Sequence, residues 1–166
     1  MAEATEAFLR RAYYNIREPW TLLVLTGPPG TGKTYCAKRG FYWLAPANVR
    51  AWDRGYWKRP INVTWARWSR VIASPKEDLY EDLVRSDVVF LDDVGTEVDQ
   101  FASGRPIEVL RALLEERHKR FTILTTNIAP ADWDKRWDAR VADRLIRHSL
   151  VIDTKGAPKL SGVSKE

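Results

Sequence analysis

Residues Gly27, Pro28, Pro29, Gly30, Thr31, Gly32, Lys33 and Thr34 satisfy the spacing G-x-x-x-x-G-K-[ST] at every required position. The chemistry this pattern serves is the capture of phosphate. Its glycines let the backbone curl until successive N–H groups point inward at phosphate oxygens, and the helix that follows adds the positive end of its dipole. Lys33 then neutralises the β- and γ-phosphates of a nucleoside triphosphate, and Thr34 presents its hydroxyl to Mg²⁺. About 60 residues further on, Val88, Val89, Phe90 and Leu91 run into Asp92 and Asp93. A short apolar run ending in paired carboxylates is a buried strand delivering acids to a nucleotide. Asp92 is placed to hold Mg²⁺ through its water shell, and Asp93 to polarise the attacking water. Asn127 leaves a third apolar run, residues 121–125, where its amide can meet the γ-phosphate or that water.

These groups need a scaffold, and the intervening periodicities supply one. Residues 21–26 read as a buried strand before the phosphate loop, and residues 35–44 as the helix after it. Further strands are expected at 61–65, 88–91, 121–125 and 148–153, with helices at 66–73, 77–86, 105–119, 130–137 and 138–147. Ser74 is placed to cap the helix at 77. Strands alternating with helices imply a parallel five-stranded sheet covered on both faces, an α/β fold of three layers. An amphipathic helix over residues 4–17, with Phe8, Leu9, Ala12 and Ile16 on one face and Pro19 ending it, precedes the first strand. The expected organisation is a helix or arm at 1–19, the nucleotide-binding domain at 20–153 and a flexible tail at 154–166.

The 166 residues suit one domain, and no run approaches the length of a membrane span. A single cysteine, Cys36, has no disulfide partner, which fits a reducing compartment and a cytoplasmic protein. Neither His118 nor His148 has Cys or His neighbours at metal-ligand spacing. The net charge is +5, and it is unevenly spread: between Lys38 and Arg70 eight basic residues face one acid, Asp53. Residues 45–48 read as a break, and residues 49–60 interleave Trp52, Tyr56 and Trp57 with Arg50, Arg54, Lys58 and Arg59 without a clear period. Rings that stack on bases among cations that meet phosphates suit single-stranded nucleic acid, with Trp52 and Trp57 as stacking candidates. The same aromatics can equally pin an insertion to the domain.

With GPPGTGKT, FLDDVG, LTTN and DARVADRL in that order, residues 20–153 resemble AAA+ ATPases of the DnaC/IstB type, which include helicase loaders. The resemblance implies a P-loop NTPase core of the AAA+ kind that uses ATP and Mg²⁺, with the first two motifs as Walker A and Walker B. It also implies that Asn127 is the sensor and that Arg140 is an arginine finger reaching a neighbouring subunit's ATP. The activity it implies is ATP hydrolysis by a homo-oligomer assembled on single-stranded DNA, loading or remodelling a replicative helicase. An IstB-type assistant to a transposase is a near relative of that reading. Loaders of this kind usually carry an N-terminal helicase-binding domain and a C-terminal helical lid. Only about twenty residues precede the first strand here and no lid is visible past Asp153, so neither is expected. A P-loop kinase and a nucleotide-gated binding module that hydrolyses little remain open, because a fold does not determine a function.

Overall fold

The computed structural model describes residues 1–73, 77–96, 104–147 and 149–155. Five strands form one sheet: β1 (Leu22–Thr26), β2 (Val63–Arg67), β3 (Val88–Val94), β4 (Phe121–Thr126) and β5 (Ser149–Asp153). Every pairing is parallel and the order is β2-β3-β4-β1-β5. Successive side chains of β1 alternate between the two faces: Leu22 and Val24 enter one core, Leu23 and Leu25 the other. Both faces are therefore buried, which explains why the strand sequences are continuously apolar.

One face is covered by α1 (Ala2–Tyr13) and α2 (Lys33–Asp53). The other carries α3 (Trp68–Ala73), α4 (Glu77–Arg85), α5 (Arg105–Glu116), α6 (Trp133–Arg136) and α7 (Ala139–Arg147). The three-layer α/β/α arrangement with a parallel five-stranded sheet expected of the chain is the one observed. Arg117, just beyond α5, fastens the second layer. Its buried guanidinium donates to Phe121 O at 2.6 Å, Ser86 O at 2.8 Å, Thr122 Oγ1 at 2.9 Å and Leu83 O. Burial, with Arg120 nearby, lowers its pKa to about 9.

The helix expected over 105–119 stops at Glu116, and that expected over 130–137 is a 3-10 turn at Pro130–Asp132 followed by α6; three further elements depart from the periodicity. The first helix stops at Tyr13, and Asn15 takes a positive φ of 56°. Ile16 is consequently exposed, and Tyr13 replaces it beside Phe8, Leu9 and Ala12 in the core. The helix after the phosphate loop runs unbroken through Pro46 to Asp53. Ala37, Gly40, Leu44, Ala47 and Ala51 recur at alternating spacings of three and four and are all buried, so one apolar seam crosses the expected break. Pro46 lies on the solvent side, where water can take the Tyr42 carbonyl that proline leaves without a donor. Finally, β2 is displaced two residues towards the C-terminus of its expected position, to Val63–Arg67.

Ser74, His148 and residues 156–166 lie outside the described residues. Thr154, assigned by its sequence to the start of the tail, is instead buried and hydrogen-bonded into the fold.

Candidate nucleotide site

The phosphate loop joins β1 to α2, and the residue types dictate its shape. Gly27 has φ of 128°, and a Cβ there would overlap the Thr154 hydroxyl. Lys33, 5% exposed, donates from Nζ to Gly27 O at 2.7 Å and to Pro28 O at 2.8 Å, so its ammonium lies within the curl of the loop. Burial lowers its pKa, against the raising influence of Asp93 and Asp92. Thr31 bridges two parts of the chain: its Oγ1 lies 3.0 Å from Pro28 O and 2.8 Å from Thr154 Oγ1. Thr154 in turn bonds Thr26 O through both its N–H, at 2.8 Å, and its hydroxyl, at 2.9 Å.

Because β4 separates β1 from β3, the acids of β3 reach the phosphate loop past the end of β4. There the ladder is irregular: Leu91 pairs with Leu124 and Val94 with Thr126, leaving Asp92 and Asp93 opposite Thr125 alone. Asp93 takes the left-handed backbone conformation, φ 62°, that this bulge requires. Thr125 fills the irregularity from both sides. Its Oγ1 accepts from Asp93 N at 2.9 Å and donates to Asp92 Oδ1 at 2.8 Å. The same Asp92 oxygen accepts from Thr34 Oγ1 at 2.8 Å. The phosphate loop and the acidic end of β3 are thus in direct contact.

Asp93 is half-buried, and burial raises its carboxyl pKa, helped by Asp92; Arg67 and Lys33 oppose the shift. Arg67 ends β2 and is in register with Asp92. Among the described residues no cluster of three or more His, Cys, Asp or Glu side chains could hold a metal by itself. Mg²⁺ needs no such cage when phosphates and water supply most of its ligands, and the touching pair Thr34 and Asp92 fits that requirement. Asn127 is half-buried one residue beyond β4, on the same rim. Arg140 is not brought to this site: it is exposed on α7, while Arg144, on the same helix, is bound to Glu115 of α5 at 2.6 Å.

The turn after β3 is held from below. Arg136 of α6 donates to Gly95 O from Nε at 3.2 Å and from Nη2 at 3.1 Å. Gly95 has φ of 85°, and a Cβ on it would collide with Ile128 Cδ1 and come within 2.8 Å of Trp137 Cζ2. Gly95→Ala is therefore expected to destabilise the domain by roughly 1–3 kcal/mol, from strain and overpacking together. A thermal melt of the variant checks this, and an unchanged midpoint would contradict it.

The aromatic segment resolves against one of its two stacking candidates. Trp57 is 8% exposed, and its indole N–H points at both Ala12 O and Tyr13 O, 3.2 Å from each. It satisfies carbonyls at the end of α1 and cannot stack on a base, whereas Trp52 is 45% exposed. A cavity of about 560 Å³ at the opposite rim of the sheet, lined by Thr21, Arg117 and Arg144 among others, contains no residue of the phosphate loop and neither Asp92, Asp93 nor Asn127. Thr125, Thr154, Arg67 and Arg136 were not singled out from the sequence. Only Thr125 carried a local signal, as a hydroxyl at the end of a buried strand.

Residues 14–160 match the family described as IstB-like ATP binding protein. No curated protein sequence matches the chain at a significant level. Among solved structures, the DnaC helicase loader is similar with 20% identity and a TM-score of 0.65, over 89% of this chain and 86% of that one. DnaI is similar with 18% identity and a TM-score of 0.66, over 90% and 82%. AMPPCP-bound DnaA from Aquifex aeolicus has 15% identity and a TM-score of 0.62 over 91% of this chain, which spans only 45% of the DnaA chain. At these identities the likeness is one of fold.

Proposed function

Because the chain belongs to the IstB-like ATP-binding protein family, we propose that it hydrolyses ATP, assembles on single-stranded DNA and helps load or remodel a replicative helicase. The observation that carries the hydrolytic part is the contact of Thr34 and Thr125 with one oxygen of Asp92, beside an Asp93 whose neighbours are Asp92, Arg67 and Lys33. The nucleic-acid part is supported by the basic excess between Lys38 and Arg70. It is also supported by neighbours that include the DnaC helicase loader and a DnaA bound to AMPPCP and single-stranded DNA.

In this reading the loop from Gly27 to Gly32 wraps the phosphates, with Pro28, Pro29, Gly30 and Thr31 forming its crown. Lys33 exchanges its bonds to Gly27 O and Pro28 O for phosphate oxygens, and Asp93 orients and deprotonates the attacking water. Mg²⁺ held by Thr34 and Asp92 would neutralise charge developing on the phosphates. Asn127 acts at the γ-phosphate, and Arg140 acts on a neighbour's nucleotide. Residues 20–153, with Thr154 bracing the phosphate loop, form the catalytic unit, to which α1 is packed through Phe8, Leu9 and Ala12.

ATPase measurements with and without single-stranded DNA test the proposal: turnover should rise with DNA. A kinase would need an acceptor in place of DNA, and a binding module would barely turn over. The family match equally favours an IstB-type assistant of a transposase, which would be stimulated by its transposase and not by a helicase.

The pH profile follows from Asp93. A base works only when ionised, so a raised pKa places the acid limb of turnover above the ordinary carboxylate range. Arg67 holds that pKa down, so Arg67→Ala is expected to move the limb to higher pH. A pH–rate profile in which the limb stays put or moves down would separate Arg67 from Asp93.

A further inference from the structure

On the face of α2 turned away from its buried seam stand Tyr35, Arg39, Tyr42, Pro46 and Arg50, all exposed. At 3.6 residues per turn they fall within an arc of about 80°. Tyr35 is 57% exposed and Tyr42 70%, whereas Phe8, Phe90 and Phe121 are fully buried. We infer that this face of α2 is a stacking platform for single-stranded nucleic acid, with Tyr35 and Tyr42 under bases and Arg39 and Arg50 on phosphates. The inference rests on the proposed single-strand-binding function and locates the strand on the molecule.

Three observations choose this partner. Aromatic rings with cations between them on one ridge are what an unpaired strand needs, because every base has a π-face and every link a charge. The helical rise separates Tyr35 from Tyr42 by about 10.5 Å, close to three base steps of about 3.4 Å each. The charge carried by the ridge residues themselves is also of one sign, with Glu6 of α1 lining a cavity beside Arg39. Asp53 is the only acid between Lys38 and Arg70, and Lys38 at the edge of the ridge lines a cavity of about 390 Å³ with Trp65, Arg67 and Arg70. Two copies of such a face would repel each other, whereas a polyanion would be attracted. The platform supplies the stacking ring that Trp57 cannot, since Trp57 is committed to α1, while Trp52 remains exposed.

Fluorescence anisotropy of a labelled oligothymidylate, titrated with the full chain and ATP at several salt concentrations, tests this. The double variant Tyr35→Ala, Tyr42→Ala should lose roughly tenfold in affinity per ring with an unchanged salt slope. The double variant Arg39→Gln, Arg50→Gln should flatten the dependence of log K on log salt by about 1.4, two phosphates at roughly 0.7 each. All four side chains are exposed, and melting curves confirm that the variants fold. Wild-type binding that neither variant weakens would overturn the platform while leaving single-strand binding intact. Failure of the wild type to bind would overturn both. Should the tyrosine variant keep its DNA affinity but lose self-association in sedimentation, the face is a protein interface and the inference is wrong.

Discussion

Lys33→Ala is expected to weaken ATP binding by about a hundredfold or more, whereas Asp93→Asn should bind ATP normally and turn it over about a hundred- to ten-thousandfold more slowly. The contrast comes from where the two groups lie. Lys33 is a buried cation inside the curl of the loop, so its loss removes charge from the phosphate seat and takes a donor from Gly27 O and from Pro28 O, the latter keeping the Thr31 hydroxyl. Asp93 supplies no bond to the loop. Its backbone N–H, bound to Thr125, is retained in the asparagine variant, so the bulge should persist while the base is lost. Calorimetric titration with a non-hydrolysable analogue, paired with phosphate release, distinguishes the two. Full turnover by purified Asp93→Asn would remove Asp93 from water activation, and tight binding by Lys33→Ala would remove Lys33 from the phosphate seat.

Arg140→Ala is expected to reduce turnover about a thousandfold while leaving a single subunit's affinity for ATP unchanged. The structure narrows the choice among the three arginines of this helix, of which Arg147 is paired with Asp143. Arg144 is held by Glu115, and the inner face of α7 is occupied by Val141, Ala142 and Leu145, which leaves Arg140 exposed and able to extend to a second subunit. A guanidinium that stabilises charge on the transferring phosphoryl group of a neighbour makes activity depend on assembly. Turnover per subunit should therefore rise with protein concentration. Mixing Lys33→Ala with Arg140→Ala chains, each inactive alone, should restore activity at junctions that combine an intact loop with an intact finger. No recovery on mixing, with a monomer in sedimentation under ATP and DNA, would overturn the shared site.

Sequence legibility followed the range of the interactions involved. The phosphate loop, the existence of five strands and the covering of the sheet on both faces could be read because each depends on residues adjacent in sequence or on a single period. Thr154 could not, because its partners Thr26 and Thr31 lie 128 and 123 residues away and no local rule couples them. The bulge at Asp92 and Asp93 was hidden for the same reason, since it exists only in the pairing of β3 with β4. The length of α2 is a different case. Its seam of Ala37, Leu44, Ala47 and Ala51 was present in the sequence, but Pro46 outweighed it as a break signal. Burial of four apolar side chains prevailed over one missing hydrogen bond on the solvent side. Trp57 shows the limit for single side chains. Composition could not say whether an indole among arginines faces a base or two carbonyls of α1.

The hydroxyl contact between Thr31 and Thr154 also bears on when the protein first becomes able to hold a nucleotide during its synthesis. β1 pairs only with β4 and β5, and the loop after it is braced by a residue made 123 positions later. A ribosome adding about 5–20 residues per second covers that distance in about 6 to 25 seconds. Until β4 is made the glycine-rich segment has neither flanking strand, and until the end of the interval it lacks β5 and Thr154. Competence to bind ATP should therefore arise in one late step as β5 docks, and chains stalled before that step would be incomplete at the phosphate loop, however early that loop was translated.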